Sequence, residues 1–268
     1  MKSRRLKPIY KGFSTAAYTE RLEAAIQRYG LPFGAEWLRG NSPMNNINGD
    51  MPWASLSYMQ PEAAVYWHNY LNEAMLDAGI YRRTDLRTIT ILHAPWHFGS
   101  RQWRFDLHAI KRYVRRALRG TNYIVMIEFE IYRNLYYWRQ EQQQSYPEGK
   151  LICPHVQGII WGPLPRSVRK AFDGGILGAP AVKLKRIYHL PGASLYMVKP
   201  PYKGRSAIFK GDGNIKRAPW PMKDMSLTLH HLCLKNLWQF TYSDLTLSGG
   251  EGVPILAAAR RTWRKTQL

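Results

Sequence analysis

The sequence predicts an α+β chain, with a central antiparallel sheet flanked by helices and helical extensions at both ends. Three observations predict it. Between residues 84 and 205, β-branched apolar runs alternate with helix-period segments in the order β-α-β-β-α-β-α. Two β-α-β halves of that kind join into an antiparallel sheet with helices against it. The flanks, 1–83 and 206–268, carry helical patterns and turn residues without strand alternation. Finally, 45% of the 268 residues are hydrophobic and 13% aromatic, enough for one good core and too apolar for a disordered chain.

In order, residues 15–28 read as an amphipathic helix with Leu22, Ala25 and Ile26 on one face. Residues 41–52 are a loop of Asn, Gly, Pro and Ser, and 61–78 read as a second helix. Residues 86–92 are β-branched and apolar, a strand. Residues 105–118 form a helix whose Lys111, Arg112, Arg115, Arg116 and Arg119 make a basic face. Residues 123–131 are an apolar strand holding Glu128 and Glu130. A polar segment with Gln140 to Gln144 follows, closing on Pro147-Glu148-Gly149. The next strand is 155–161, and 165–172 is a short helix broken by Asp173-Gly174-Gly175. Residues 181–189 are a strand, Pro191-Gly192 a turn, and 193–199 a helix stopped by Pro200-Pro201. Helices are expected at 227–240 and 253–265, with a glycine-rich loop at 248–252 between them.

Lysine and arginine number 39 against 18 aspartate and glutamate, a formal net charge of +21. Such an excess speaks to partners, and a polyanion, above all nucleic acid, is the natural one. Charge alone does not separate an enzyme from a pure binder. The two cysteines, Cys153 and Cys233, make no disulfide framework, which fits a reducing compartment. No apolar signal core follows the basic N-terminus and no run is long enough to span a membrane, so a cytoplasmic location is expected.

Two short motifs carry the chemistry. In Pro154-His155-Val156-Gln157-Gly158, alternation along a strand sets His155 and Gln157 on one face. A divalent ion could take the imidazole nitrogen and the amide oxygen together. Glu128 or Glu130 could add a carboxylate if the preceding strand is the neighbour. That N/O set suits Mg²⁺ or Mn²⁺ rather than a closed zinc site. The plain alternative is a strand-edge histidine beside a solvated glutamine. In Tyr196-Met197-Val198-Lys199, a helix would put tyrosine and lysine on one side. A phenol is a poor nucleophile at its ordinary pKa near 10, and a neighbouring cation favours the phenolate. The plain alternative is a core tyrosine with a surface lysine.

In this order the motifs resemble the HUH endonucleases, in particular the rolling-circle replication initiators (Rep proteins). That family carries a histidine-hydrophobic-histidine strand, with glutamine at the second position in some members, followed by a Tyr-x-x-Lys helix. Pro154-His155-Val156-Gln157-Gly158 matches the glutamine variant, with one histidine instead of two, and Tyr196-Met197-Val198-Lys199 matches the helix. Thr88-Ile89-Thr90-Ile91-Leu92 is a weaker counterpart of the family's first strand motif.

The resemblance covers about residues 84–205 and implies a nuclease domain of HUH type there. Residues 1–83 are then a basic, partly helical extension, and 206–268 a helical region open to a DNA-binding role. It implies Tyr196 as nucleophile, Lys199 as support for the phosphate or the proton transfer, and Glu128, His155 and Gln157 as metal ligands. Glu130 remains the alternative to Glu128. Arg112, Arg115, Arg116, Lys203 and Arg205 are expected to contact DNA. The implied reaction nicks and rejoins single-stranded or hairpin DNA at an origin through a 5′-phosphotyrosine link, freeing a 3′-hydroxyl that primes replication of a plasmid or phage. No GxxxxGK[ST] loop occurs in the chain, so a separate helicase is expected. A transposase or relaxase would share the chemistry, and a non-catalytic basic nucleic-acid binder is the rival outside it.

Other groupings read as structural. The proline between His93 and His97 argues for a surface turn, and His230-His231-x-Cys233 lacks a second ligand pair at finger spacing. Tyr202 lies past two prolines, which favours a single-tyrosine mechanism. Trp96, Trp103, Tyr136, Tyr137 and Trp138 near arginines suit stacking of single-stranded bases, as does the basic tail around Trp263.

Overall fold

The computed structural model of the chain describes residues 15–30, 57–133, 150–173, 179–199, 203–209, 215–217 and 223–265. The loops expected at 41–52 and 140–149 lie outside these residues. So do Tyr136, Tyr137, Trp138, Pro200-Pro201 and Tyr202, and the side chains of Lys203 and Arg205.

The two longest strands, β3 (Asn122–Arg133) and β4 (Lys150–Trp161), form the centre of the sheet. They are apolar almost throughout because both of their faces are covered. Their antiparallel ladder runs from Asn122 opposite Trp161 to Arg133 opposite Lys150. On the other side of β4 lies β1 (Arg87–Ile91), and β5 (Val182–Arg186) edges β1, both antiparallel. The two-residue β2 (Phe98–Gly99) pairs with the start of β4. The far edge of β3 is shared. Its first half takes β9 (Thr246–Gly249) antiparallel, and its end takes β6 (Lys203–Phe209) in parallel. Strands β7 (Ile215–Arg217) and β8 (Lys223–Asp224) then pair with β6. The path β5-β1-β4-β3-β6-β7 is antiparallel except at the β3–β6 step.

The expected order is present as β1, α3 (Leu107–Ala117), β3, β4, α4 (Ser167–Lys170), β5 and α5 (Leu190–Met197), with β2 inserted after β1. Three local differences have physical causes. First, β4 begins at Lys150 rather than 155 and runs through Pro154. A proline cannot donate to a ladder. Here β2 partners only residues 151–152 and β1 only 156–160, so 153–155 are unpaired on that side. Second, α5 starts three residues early, because Pro191 suits a first turn and His189 Nδ1 accepts from the Gly192 N–H at 3.1 Å. It closes at Met197, so Lys199 lies beyond the helix. Third, the region expected to be helical after residue 206 contributes β7, β8 and β9 as well as helices. Gly249, read as loop, lies where a Cβ would strike the Tyr123 ring, so only glycine lets β9 close on β3.

Helix α1 (Thr15–Tyr29) packs on α6 (Leu227–Leu237), and α2 (Pro61–Asp77) on α8 (Gly252–Lys265). Trp67 of α2 donates to Thr246 Oγ1 at 3.1 Å. Thr246 Oγ1 in turn donates at 2.6 Å to the carbonyl of Tyr242, in the short helix α7 (Tyr242–Leu245). One continuous buried cluster joins these helices to the sheet. Among the described residues no helix is long and apolar enough to cross a membrane.

The register sorts side chains by face. Met126, Glu128 and Glu130 of β3 lie opposite Gln157, His155 and Cys153 of β4 and share one face with them. Thr88 and Thr90 of β1 and Lys183 and Lys185 of β5 continue that face. The other face carries Ile127 and Phe129, and Phe105 at the entry to α3 packs edge-on against Phe129. Helix α5 lies against β3, β4 and α2.

Candidate active site

The β3–β4 ladder sets His155 directly opposite Glu128, and His155 Nε2 approaches Glu128 Oε2 to 3.3 Å. His155 Nδ1 lies 3.3 Å from the Cys153 carbonyl. A carbonyl can only accept, so that contact requires the proton on Nδ1. Nε2 is then left to share the carboxylate with a second proton or a metal ion. Glu128 is 1% exposed, and neither of its oxygens has a hydrogen-bond partner. A buried carboxylate in that position demands cations.

Lys199 supplies one. Its Nζ lies 3.4 Å from the same Oε2 and 4.1 Å from the centre of the Tyr196 ring. Burial pushes the Lys199 ammonium down, but the carboxylate of Glu128 and the phenol of Tyr196 more than offset this, and its pKa lies above the ordinary lysine value. Lysine 199 is therefore a fixed charge through the neutral range.

An open cleft of ≈ 470 Å³ has Glu130, His155, Gln157, Tyr196 and Lys199 on its walls. Glu128 lies beneath it, reached through His155 and Lys199. Glu130 faces the cleft, and its Oε2 accepts from the Tyr132 hydroxyl at 2.9 Å. Gln157 is held by Thr90, whose hydroxyl donates to Oε1 at 3.2 Å. Both plain alternatives fail on geometry. His155 and Gln157 are buried in a central strand, whereas Tyr196 is 42% exposed and the Lys199 side chain only 18%.

The four motif residues His155, Gln157, Tyr196 and Lys199 and the two β3 carboxylates thus converge. The basic residues Arg112, Arg115 and Arg116 do not. They are exposed on α3, against the opposite face of the sheet, and none lines the cleft among the described residues. Helix α3 does build a basic patch. Burial, despite Asp244, and then Arg115 and Arg260 hold the Lys111 ammonium below its usual value.

Among the described residues no group of three His, Cys, Asp or Glu side chains stands ready for a metal. A divalent ion here would therefore draw on the Gln157 amide oxygen beside His155 and a glutamate. The buried Glu128 oxygens without hydrogen bonds and the oriented His155 ring fit such an ion.

Three neighbours carried no usable sequence signal. His93 and His97, expected on a surface turn, flank a 3₁₀ turn at Ala94–Trp96 but point inward. His93 is buried against Tyr113, with ring centres 4.7 Å apart, and its Nδ1 accepts from the Asp173 N–H. Both ring nitrogens of His97 are shielded from solvent without a hydrogen bond. Burial, then His155 and His93, lower its pKa to about 4. The third neighbour is the first zone of the chain. Tyr58 donates to the Lys199 carbonyl at 3.4 Å, and His68 Nε2 lies 3.1 Å from Ser194 Oγ on α5. His230 and Cys233 are core residues: His230 Nδ1 bonds the Ser226 carbonyl, and burial pushes the Cys233 thiol up to about 12.

No family model, no curated protein and no solved structure matches this chain.

Proposed function

We propose that the chain is a metal-assisted tyrosine endonuclease of HUH type that nicks and rejoins single-stranded DNA to initiate rolling-circle replication. What supports the reading is the convergence of Tyr196, Lys199, His155, Gln157 and Glu130 on one cleft, with Glu128 beneath it, from segments far apart in sequence. A transposase or relaxase role would use the same cleft.

Glu128, His155 and the Gln157 amide oxygen are the residues that would hold Mg²⁺ or Mn²⁺, with Glu130 as the alternative carboxylate. When bound, the ion supplies positive charge against the scissile phosphate. The half-exposed Tyr196 hydroxyl attacks phosphorus. A tyrosine O–P bond forms and the P–O3′ bond breaks. The phenol proton leaves as the new bond forms, and the departing 3′ oxygen takes one up to become a 3′-hydroxyl. Phosphodiester energy is retained in the 5′-phosphotyrosine link, so the strand can be rejoined. Lys199 acts as a cation beside the phenol and not as its base, because its pKa is held above the usual value.

The test is a covalent-adduct assay. The protein is incubated with labelled single-stranded DNA from its own element and Mn²⁺ or Mg²⁺, then run on a denaturing gel. The expected result is a DNA-linked band that needs metal and is absent in Y196F. Tight salt-dependent binding with no adduct on any origin-region oligonucleotide would replace the nuclease with a non-catalytic binder.

A further inference from the structure

The cleft extends away from His155 and Tyr196 onto β1 and β5. In the β1–β4 ladder Thr90 lies opposite Gln157, and in the β1–β5 ladder Thr90 lies opposite Lys183 and Thr88 opposite Lys185. All four residues face the cleft. Two ammonium groups are thus set two strand residues apart on one face, about 6.7 Å along the strand. Neither has a carboxylate partner among the described residues. Lysines on an edge strand also guard against pairing with another sheet. That role needs only exposure to solvent. It does not account for a pair turned into the cleft with a hydroxyl opposite each member.

We propose that Lys183 and Lys185, beside Thr88 and Thr90 on the cleft floor, form a phosphate track that holds the DNA strand on one side of the scissile phosphate. The proposal rests on the nuclease reading for its register and names where the substrate's backbone lies. Two adjacent phosphates on this track continue the strand from the phosphate at Tyr196 along the floor of β1 and β5. The charges are paired to phosphates and carry no base specificity.

The experiment is a salt titration of binding to a labelled single-stranded oligonucleotide, read by fluorescence anisotropy. Wild type is compared with K183Q/K185Q, which keeps a polar edge strand, and with K183R/K185R, which keeps the charge. Each phosphate contact on a single strand adds about 0.7 to the slope of log affinity against log salt, so the glutamine variant should lose about 1.4. Between 50 and 200 mM salt, wild-type affinity would then fall about sevenfold more than that of the variant. The arginine variant should keep the wild-type slope. An unchanged slope in K183Q/K185Q, with or without aggregation, overturns the track and leaves the lysines as edge guards. The adduct assay on wild type judges the nuclease reading separately. A chain that forms no adduct yet loses slope in the glutamine variant keeps the track and loses the nuclease.

Discussion

His155 and Glu128 face each other across the β3–β4 ladder with Nε2 and Oε2 3.3 Å apart, and Lys199 reaches the same oxygen from beyond α5. Three segments are therefore tied to one buried carboxylate. E128A leaves the partly buried Lys199 cation without its counter-ion and should destabilise by about 3–5 kcal/mol. Removing Lys199 as well should recover part of that loss, with a coupling of about 1–3 kcal/mol in a double-mutant cycle. Urea denaturation in the presence of EDTA reads this without metal. Strict additivity of E128A and K199A would show that the contact contributes nothing.

His97 gives the fold an acid sensitivity. Its folded pKa of about 4 lies below its ordinary value of 6.5, so the native ring stays neutral where the unfolded ring binds a proton. Stability is unaffected above pH 6.5, falls as pH drops through 6.5 towards 4, and falls no further below that. The full loss from this group is about 3 kcal/mol. H97L should have a flatter stability profile than wild type between pH 7 and 4.5, measured by urea midpoints. Parallel profiles would place the acid sensitivity elsewhere.

The sheet and its order were legible because short apolar runs rich in β-branched and aromatic residues, such as Tyr123-Ile124-Val125-Met126-Ile127, favour strand over helix. The grouping of His155, Gln157, Tyr196 and Lys199 could be anticipated because these four residues sit in two short motifs. What stayed hidden depended on tertiary contact. Strand β9 ends in Ser248-Gly249, which reads as loop until the Tyr123 ring is known to need the space. The inward turn of His93 is set by Tyr113 and Phe172, which are remote in sequence. Tyr58 and His68 lie in a stretch with no chemical motif, and only tertiary contacts, with the Lys199 carbonyl and with Ser194 on α5, bring them to the site.

Gly158 fixes the distance between the two strands that carry the carboxylate and the histidine. A Cβ there would strike the Ile124 carbonyl oxygen and stand 2.5 Å from Val125 Cα, which is backbone and cannot rotate away. G158A should destabilise by about 1–3 kcal/mol, the range for overpacking a core. Because His155 and Gln157 lie just before this point on β4, the variant should also weaken the proposed Mn²⁺ binding, measured by calorimetry. Wild-type stability in G158A would mean that β4 yields without strain.

On the proposed nuclease reading, His68 should act on the reaction without touching DNA. Its Nε2 lies 3.1 Å from Ser194 Oγ and 3.3 Å from the Pro191 carbonyl, so α2 holds the helix that presents Tyr196. Burial keeps its pKa below the ordinary value, and the neutral ring is the form that makes this contact near neutral pH. H68A removes one hydrogen-bonding group and should destabilise by about 1 kcal/mol. Looser placement of Tyr196 should slow adduct formation about three- to tenfold at saturating DNA, the rate equivalent of roughly 0.7–1.4 kcal/mol. S194A should show a smaller loss, because the His68 contact with the Pro191 carbonyl survives it, and H68A/S194A no more than H68A alone, because H68A already removes the Ser194 contact. Losses that multiply in the double variant would mean that His68 and Ser194 support the helix by separate routes.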